Sequence, residues 1–210
     1  DMPHKKSGRL IYRASLAEMM RRDLGGELKS VWTDSEDIYE EWKKNSAVSV
    51  YLREQENIIN KFSLVSQMKA AWQKKVPLKS GGFLIIDETE AMVVIDVNSG
   101  TFAASGTEET FTTVNIEAAE EIARQMRLRN LGGIIIIDFV DMKNEESREK
   151  VRLALSKAVA ADRLKVNLEG WSALGLFELT RQKKGLPLSR YLSTECPHCQ
   201  GLGKIYRSIF

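Results

Sequence analysis

In the second half of the chain, apolar residues fall into short dense runs separated by glycine and polar clusters. That spacing predicts strands rather than long helices. GGFLIIDET and AMVVIDVN read as two neighbouring strands joined by a tight polar turn at Thr89-Glu90, and the small-residue run SGTFAASGTEE reads as a loop at the rim. Asn115 is placed to cap a helix that carries Glu117, Glu120 and Glu121 early and Arg124, Arg127 and Arg129 late, before Asn130-Leu131-Gly132-Gly133 stops it. Its stripe of Ile116, Ala119, Ala123 and Met126 follows helical spacing and has to pack on a sheet. IIIIDFV follows as a buried strand. A second helix is expected over about Glu145 to Ala161, and VNLE and ALGLFELTRQ then complete the sheet.

The first 70 residues alternate in the same way, with shorter pieces. GRLIYR predicts a strand, Ser15 to Arg22 a helix ended by Gly25-Gly26, and ELKSVW a second strand. Ser35 caps the acid-fronted helix EDIYEEWKK, VSVYL alternates as a strand, and Ser63 opens a helix through Trp72. Pro77 and Gly81-Gly82 interrupt this pattern, and longer β-branched runs follow them. The expected organisation is therefore a first unit over 1–71, a second over 72–190 and a tail over 191–210, in an α/β fold class with no internal repeat.

Composition narrows the class without naming a function. At 210 residues, with 43% hydrophobic and 29% charged residues, the chain can bury a core and is not disordered, collagen-like or a disulfide scaffold. The longest uncharged apolar run, LGGIIII, is far short of the roughly 18 residues of a membrane span, so no span is expected. The start, Asp1-Met2-Pro3-His4-Lys5-Lys6, lacks an apolar signal core and an initiator methionine in first place, which reads as an intracellular piece of something longer. Net charge is 31 − 29 = +2, too balanced to announce nucleic-acid binding by itself. Bases nevertheless gather at Arg21-Arg22, Lys74-Lys75, Arg124 to Arg129, Arg181 to Lys184 and Lys204 to Arg207, which leaves room for a phosphate-tracking surface among solvated faces.

Two apolar strands run into aspartates: VVIDVNSG presents Asp96 and Asn98, and IIIIDFVDM presents Asp138 and Asp141. A carboxylate at the end of an interior strand must be solvated, paired or bound to metal, because burying it alone costs several kcal/mol. Alternation puts Asp96 and Asn98 on one face. Asp141, three residues past Asp138, would point to the other face in a continuing strand and is not expected to be a ligand. Mg²⁺ keeps most of its waters and takes one or two protein carboxylates, so Asp96 and Asp138 suffice for an ion that serves phosphodiester hydrolysis, with Asn98 orienting Asp96. Strand-terminal aspartates also serve as turn caps, and spacing does not decide between the two.

Cys196-Pro197-His198-Cys199-Gln200-Gly201-Leu202-Gly203 has the form of a zinc knuckle, two thiolates two residues apart followed by glycines. It supplies half of a structural site. No second such pair exists, so a four-thiolate Zn²⁺ would be shared between two chains, the alternative being a redox or unmetallated pair.

Taken together, SGGFLIIDETEAMVVIDVNSG, NIEAAEEIARQMRLRNLGGIIIIDFVDM, GLFELTRQKK and ECPHCQGLGK resemble the ribonuclease E/G family, in family order over about residues 80 to 204. The resemblance implies a Mg²⁺-dependent endoribonuclease of RNA processing and decay that hydrolyses single-stranded RNA in the cytoplasm or an organellar stroma. By its motifs, Asp96 and Asp138 would hold the ion and Asn98 would support them. Lys165 and Arg181 would be RNA contacts near that ion. Cys196 and Cys199 would form a zinc link that joins a dimer or higher oligomer. It also implies a mixed-sheet DNase I-like subdomain, preceded by part of a ribonuclease H-like subdomain. Family members carry an S1 domain and a 5′-sensor before the matched region and a small dimerising domain after the zinc link, and these 210 residues contain none of the three. Thr101 to Glu109 lacks the basic residues expected there. Two other readings compete with the enzyme: a non-catalytic RNA-binding or assembly module organised by the zinc link, and a chaperone-type zinc module, against which the single copy of the cysteine motif argues.

Overall fold

The computed structural model describes residues 15, 17, 18, 20, 21, 28–44, 48–53, 57–100, 106–199, 201 and 203. The expected strand GRLIYR, the glycines at 25 and 26, loop residues 101–105 and the basic cluster at 204–207 lie outside them. The chain divides into two compact units, Asp1–Ser66 and Gln67–Phe210.

In the first unit, strand β1 (Ser30–Thr33) pairs in parallel with β2 (Ser49–Leu52), and helix α1 (Glu36–Lys44) makes the crossover. The helix follows the macrodipole rule, with Glu36 and Asp37 in the first turn and Lys43 and Lys44 in the last. It buries Trp42, over which the Arg21 guanidinium lies 4.7 Å from the ring centre. Trp32 and Tyr51, cross-strand partners, stack at 4.5 Å. The short helix α2 (Ile58–Lys61) follows, and α3 (Leu64–Trp72) leads into the second unit.

The second unit is built on one six-stranded mixed sheet in the order β3-β4-β5-β6-β8-β7. The strands are β3 (Lys75–Pro77), β4 (Phe83–Glu88), β5 (Met92–Asn98), β6 (Gly133–Asp138), β7 (Val166–Trp171) and β8 (Phe177–Arg181). All neighbours are antiparallel except β5 and β6, which run parallel, as a helical crossover between them requires. That crossover is the long helix α4 (Glu108–Arg129). Helix α5 (Glu145–Val159) joins β6 to β7, and a short α6 (Leu188–Leu192) sits in the tail. The ladder between β7 and β8 slips between Leu168 and Gly170.

Side-chain alternation decides the two faces of this sheet. Leu84, Ile86, Val93, Ile95, Val97, Ile135, Ile137, Phe177 and Leu179 are buried in one core with Ala118, Ala119, Ile122, Ala123 and Met126 of α4 and Val151 and Leu155 of α5. The intervening residues face the open side, where Val94 is 36% and Ile134 47% exposed. Fully burying each Val, Leu or Ile contributes about 1.5–3 kcal/mol, so the covered face holds the unit together.

One helix boundary differs from expectation. Asn115 does not cap α4. The helix begins two turns earlier, with Thr107 as N-cap, its hydroxyl accepting from the Thr110 N–H at 3.2 Å, and with Glu108 and Glu109 in the first turn. Thr107 to Thr113 looks like loop sequence, but a Thr cap followed by two acids is a helix start. The helix ends as expected at Asn130, in the left-handed region with φ +52°.

Candidate active site

The parallel pairing of β5 and β6 sets Asp96 directly opposite Asp138. Adjacent strands lie about 4.8 Å apart, and partners in a parallel pair point to the same side, here the open face. Asn98, two residues on, is on that face too, and its Nδ2 donates to Asp96 Oδ2 at 2.8 Å. Asp96, Asn98 and Asp138 are thus brought together at one end of the sheet, and both carboxylates are exposed.

The electrostatics match such a cluster. Burial, then the charge of Asp96, then that of Asp141, all push the Asp138 pKa above the ordinary carboxylate value. Asp141 is therefore close enough to act on Asp138, although it follows the end of β6 rather than continuing it. Two carboxylates repelling one another at a strand end are an oxygen-donor set for a hard divalent ion, since a cation removes the repulsion that otherwise favours protonation. Among the described residues, no group of three or more His, Cys, Asp or Glu side chains is placed to hold a metal, so an ion here would draw the rest of its shell from water or substrate.

The backbone around the cluster is held from beneath and from the side. A Cβ on Gly82 would meet the Asn98 carbonyl at 2.6 Å, and one on Gly100, at φ +57°, would meet the Gly81 carbonyl at 2.4 Å, so only glycine lets these two loops close on one another. Three side chains of α4 bind the first of these loops and the segment after β6. Glu117 accepts from the N–H groups of Lys79 and Ser80, Asn115 exchanges two hydrogen bonds with Val140, and Glu108 accepts from Lys143 N at 3.2 Å and Asn144 N at 3.0 Å. The sequence reading missed all three. For Asn115 a signal existed: an amide inside an apolar helical stripe must find a partner.

Neither expected RNA contact lies near the carboxylates. Arg181 is the partner of Gly133 at the start of β6, five residues, or about 16 Å at about 3.3 Å per residue, from Asp138 at its end. Its guanidinium is not available at the surface. Nε donates to Asp162 Oδ2 at 2.8 Å, Nη2 to Asp162 Oδ1 at 3.1 Å and Nη1 to the Leu131 carbonyl at 2.7 Å, and the two side chains are 3% and 1% exposed. The expectation of Arg181 as an RNA contact is therefore corrected: it is a buried ion pair joining the β8 end to the loops before β6 and β7. Lys165 is exposed, but its carbonyl accepts from Gln182 N–H, which places it at the Arg181 end of the sheet as well.

In the tail, Cys196 is exposed, Cys199 is half-buried, and both are free thiols. The backbone N–H groups of Cys199 and His198 and the Cys199 thiol bond to the Cys196 sulfur and hold its pKa below the ordinary thiol range. That is the local geometry of a thiolate-stabilising knuckle. A cavity of about 1030 Å³ opens beside it, lined by Thr89, Asn130, Lys183, Arg190 and Cys196, at the opposite end of the sheet from the aspartates. No helix among the described residues is long and apolar enough to cross a membrane.

Residues 2–184 match the ribonuclease E/G family. Similar proteins include ribonuclease G of Escherichia coli, 41% identical over 203 residues that cover 91% of this chain and 41% of that protein. Ribonuclease G of Haemophilus influenzae is 46% identical over 149 residues, covering 70% of this chain and 30% of its own length. Ribonuclease E of Nostoc is 42% identical over 156 residues, covering 74% and 23%. The chain spans well under half the length of these relatives.

Proposed function

Because this chain belongs to the ribonuclease E/G family, we propose that its second unit is a Mg²⁺-dependent endoribonuclease centre that hydrolyses single-stranded RNA in RNA processing and decay. The observation that carries the reading is the cross-strand pairing of Asp96 with Asp138, with Asn98 donating to Asp96. Asp96 and Asp138 would hold the ion on the open face, where an extended strand of RNA can reach it. Bound magnesium supplies charge stabilisation at a phosphoryl oxygen and a water acidified toward neutral pH. Asn98 keeps the Asp96 carboxylate turned toward its partner, so that both present oxygens to one point. Burial and the charges of Asp96 and Asp141 raise the Asp138 pKa, and a bound cation would offset them.

The same reading takes the second unit as a DNase I-like subdomain and the first as part of a ribonuclease H-like one. Cys196 and Cys199 are half of a Zn²⁺ site completed by a second chain, and Lys165 is the remaining candidate for an RNA contact, distant from the reaction. The test is cleavage of a short, end-labelled single-stranded RNA with and without millimolar Mg²⁺, by this chain and by a full-length family member carrying the same substitutions. Metal-dependent internal cleavage lost in Asp96→Asn is expected. Cleavage that persists in EDTA would overturn the reading.

A further inference from the structure

We infer that Asn115 is a positioning residue for the Asp96–Asp138 pair, an inference that rests on the metal-site reading above. Asp138 is the last residue of β6, and its ladder to β8 has already stopped at Ile137. Beyond it the chain leaves the sheet. Phe139 then packs its ring in the core against Trp171 and Phe177, and the backbone of Val140 beyond it is held by a side chain: Asn115 Nδ2 donates to the Val140 carbonyl at 2.7 Å, and the Val140 N–H donates to Asn115 Oδ1 at 3.0 Å.

This amide reproduces a strand's pair of hydrogen bonds where no strand is present. It fastens the exit of β6 to α4, two residues past the carboxylate. Its anchor is rigid, because Asn115 is fully buried and the residues one and two turns on, Ala118, Ala119 and Ile122, are fully buried in the core beneath the same strands. Asparagine is a weak helix former, and a buried amide must satisfy both its donor and its acceptor, so a core position in mid-helix favours it only for these bonds. Glu108 adds a second tie further along the same loop, at Lys143 and Asn144. The two strand ends are thereby referred to one helix, which also holds the Lys79-Ser80 turn beside Asn98 through Glu117. Active-site geometry tolerates displacements of only about 0.5 Å, and with Val140 released the exit of β6 would keep only the Asp96 pairing and the packing of Phe139, which leaves room for a shift of that size with the sheet intact.

The test uses Mn²⁺ alone, followed by loss of the free-ion paramagnetic resonance signal, on the whole chain and on Asn115→Asp and Asn115→Leu, two replacements with the same number of side-chain heavy atoms. The first puts a carboxylate against the Val140 carbonyl, and the second removes both bonds. Met126→Ala, which empties a buried position on the same helix away from the loop, controls for loosening of the fold. Each Asn115 variant that folds by circular dichroism is expected to bind Mn²⁺ about ten- to a hundred-fold more weakly, while Met126→Ala stays within about two-fold of the parent despite a lower Tm. In RNA cleavage, kcat should fall with KM near the parent value. A folded Asn115 variant with parental affinity overturns the inference, as does an equal loss in Met126→Ala. Loss of fold in both Asn115 variants would assign the residue to the fold and also overturn it. If the parent takes up no Mn²⁺, or Asp96→Asn takes up as much, the metal reading itself fails and the inference falls with it, a result visible in the parent or the ligand variant rather than in the Asn115 variants.

Discussion

At the scale of single residues, charge placement separates ligands from struts. Asp96→Asn and Asp138→Asn each remove a ligand charge and almost no volume, so each should lower Mg²⁺-dependent RNA cleavage by several orders of magnitude with an unchanged circular dichroism spectrum. Near-parental turnover in either would remove it from the site. Asn98→Ala should cost less, about ten- to a hundred-fold, because it orients a ligand without being one. Arg181→Ala belongs to the other class. Breaking its buried pair with Asp162 should cost about 3–5 kcal/mol in urea denaturation, whereas Lys165→Ala, exposed at the same end of the sheet, should leave the midpoint in place. Why the sequence showed Asp96 and Asn98 on one face but misplaced Arg181 is a matter of range. Alternation along a strand is local, whereas the partner of Arg181 is nineteen residues away across a turn, and nothing in the side chain itself distinguishes a buried guanidinium from a phosphate contact.

At the scale of elements, periodicity locates strands β4 to β8 and helix α5 to within a few residues, because each of those strands has one face packed on α4 and α5, whereas the short β3 and α6 carry too few residues to show a period. Beyond the hairpin of β4 and β5, it does not say which strands are neighbours. The meeting of Asp96 with Asp138 depends on the parallel pairing of β5 and β6, a property of the crossover and not of either run. The start of α4 departs from the periodic pattern because its first turns lie ahead of the apolar stripe and are anchored by polar ties to a loop. One of those ties is acid-labile. The N–H groups of Asn144 and Lys143 hold the Glu108 pKa below its ordinary value of 4.5. Its folded pKa is the lower one, so its stabilisation is present above pH 4.5 and is lost as pH falls through the folded value. Glu108→Gln should therefore be less stable than the parent at neutral pH, with the difference closing in acid, as read by thermal melts across a pH series. A difference that widens in acid would mean that the carboxylate is not what binds those amides.

At the scale of the whole molecule, assembly is the open quantity. If Cys196 and Cys199 are half of a shared tetrahedron, elemental analysis should find about one zinc per two chains, and replacing both by serine should release the metal and weaken self-association while leaving the melting of the sheet unchanged. One zinc per chain in a monomer would end the intersubunit reading. The two outer strands of the six-stranded sheet bear on the same question. β3 is three residues long, ends in Pro77 and carries Lys75, and β7 breaks its register between Leu168 and Gly170. Short length, a proline, a lysine and a bulge are each devices that spoil an edge as a template for a further strand. Those features disfavour a further strand at either margin of this sheet, so a union of two copies made there would rest on side chains or on metal.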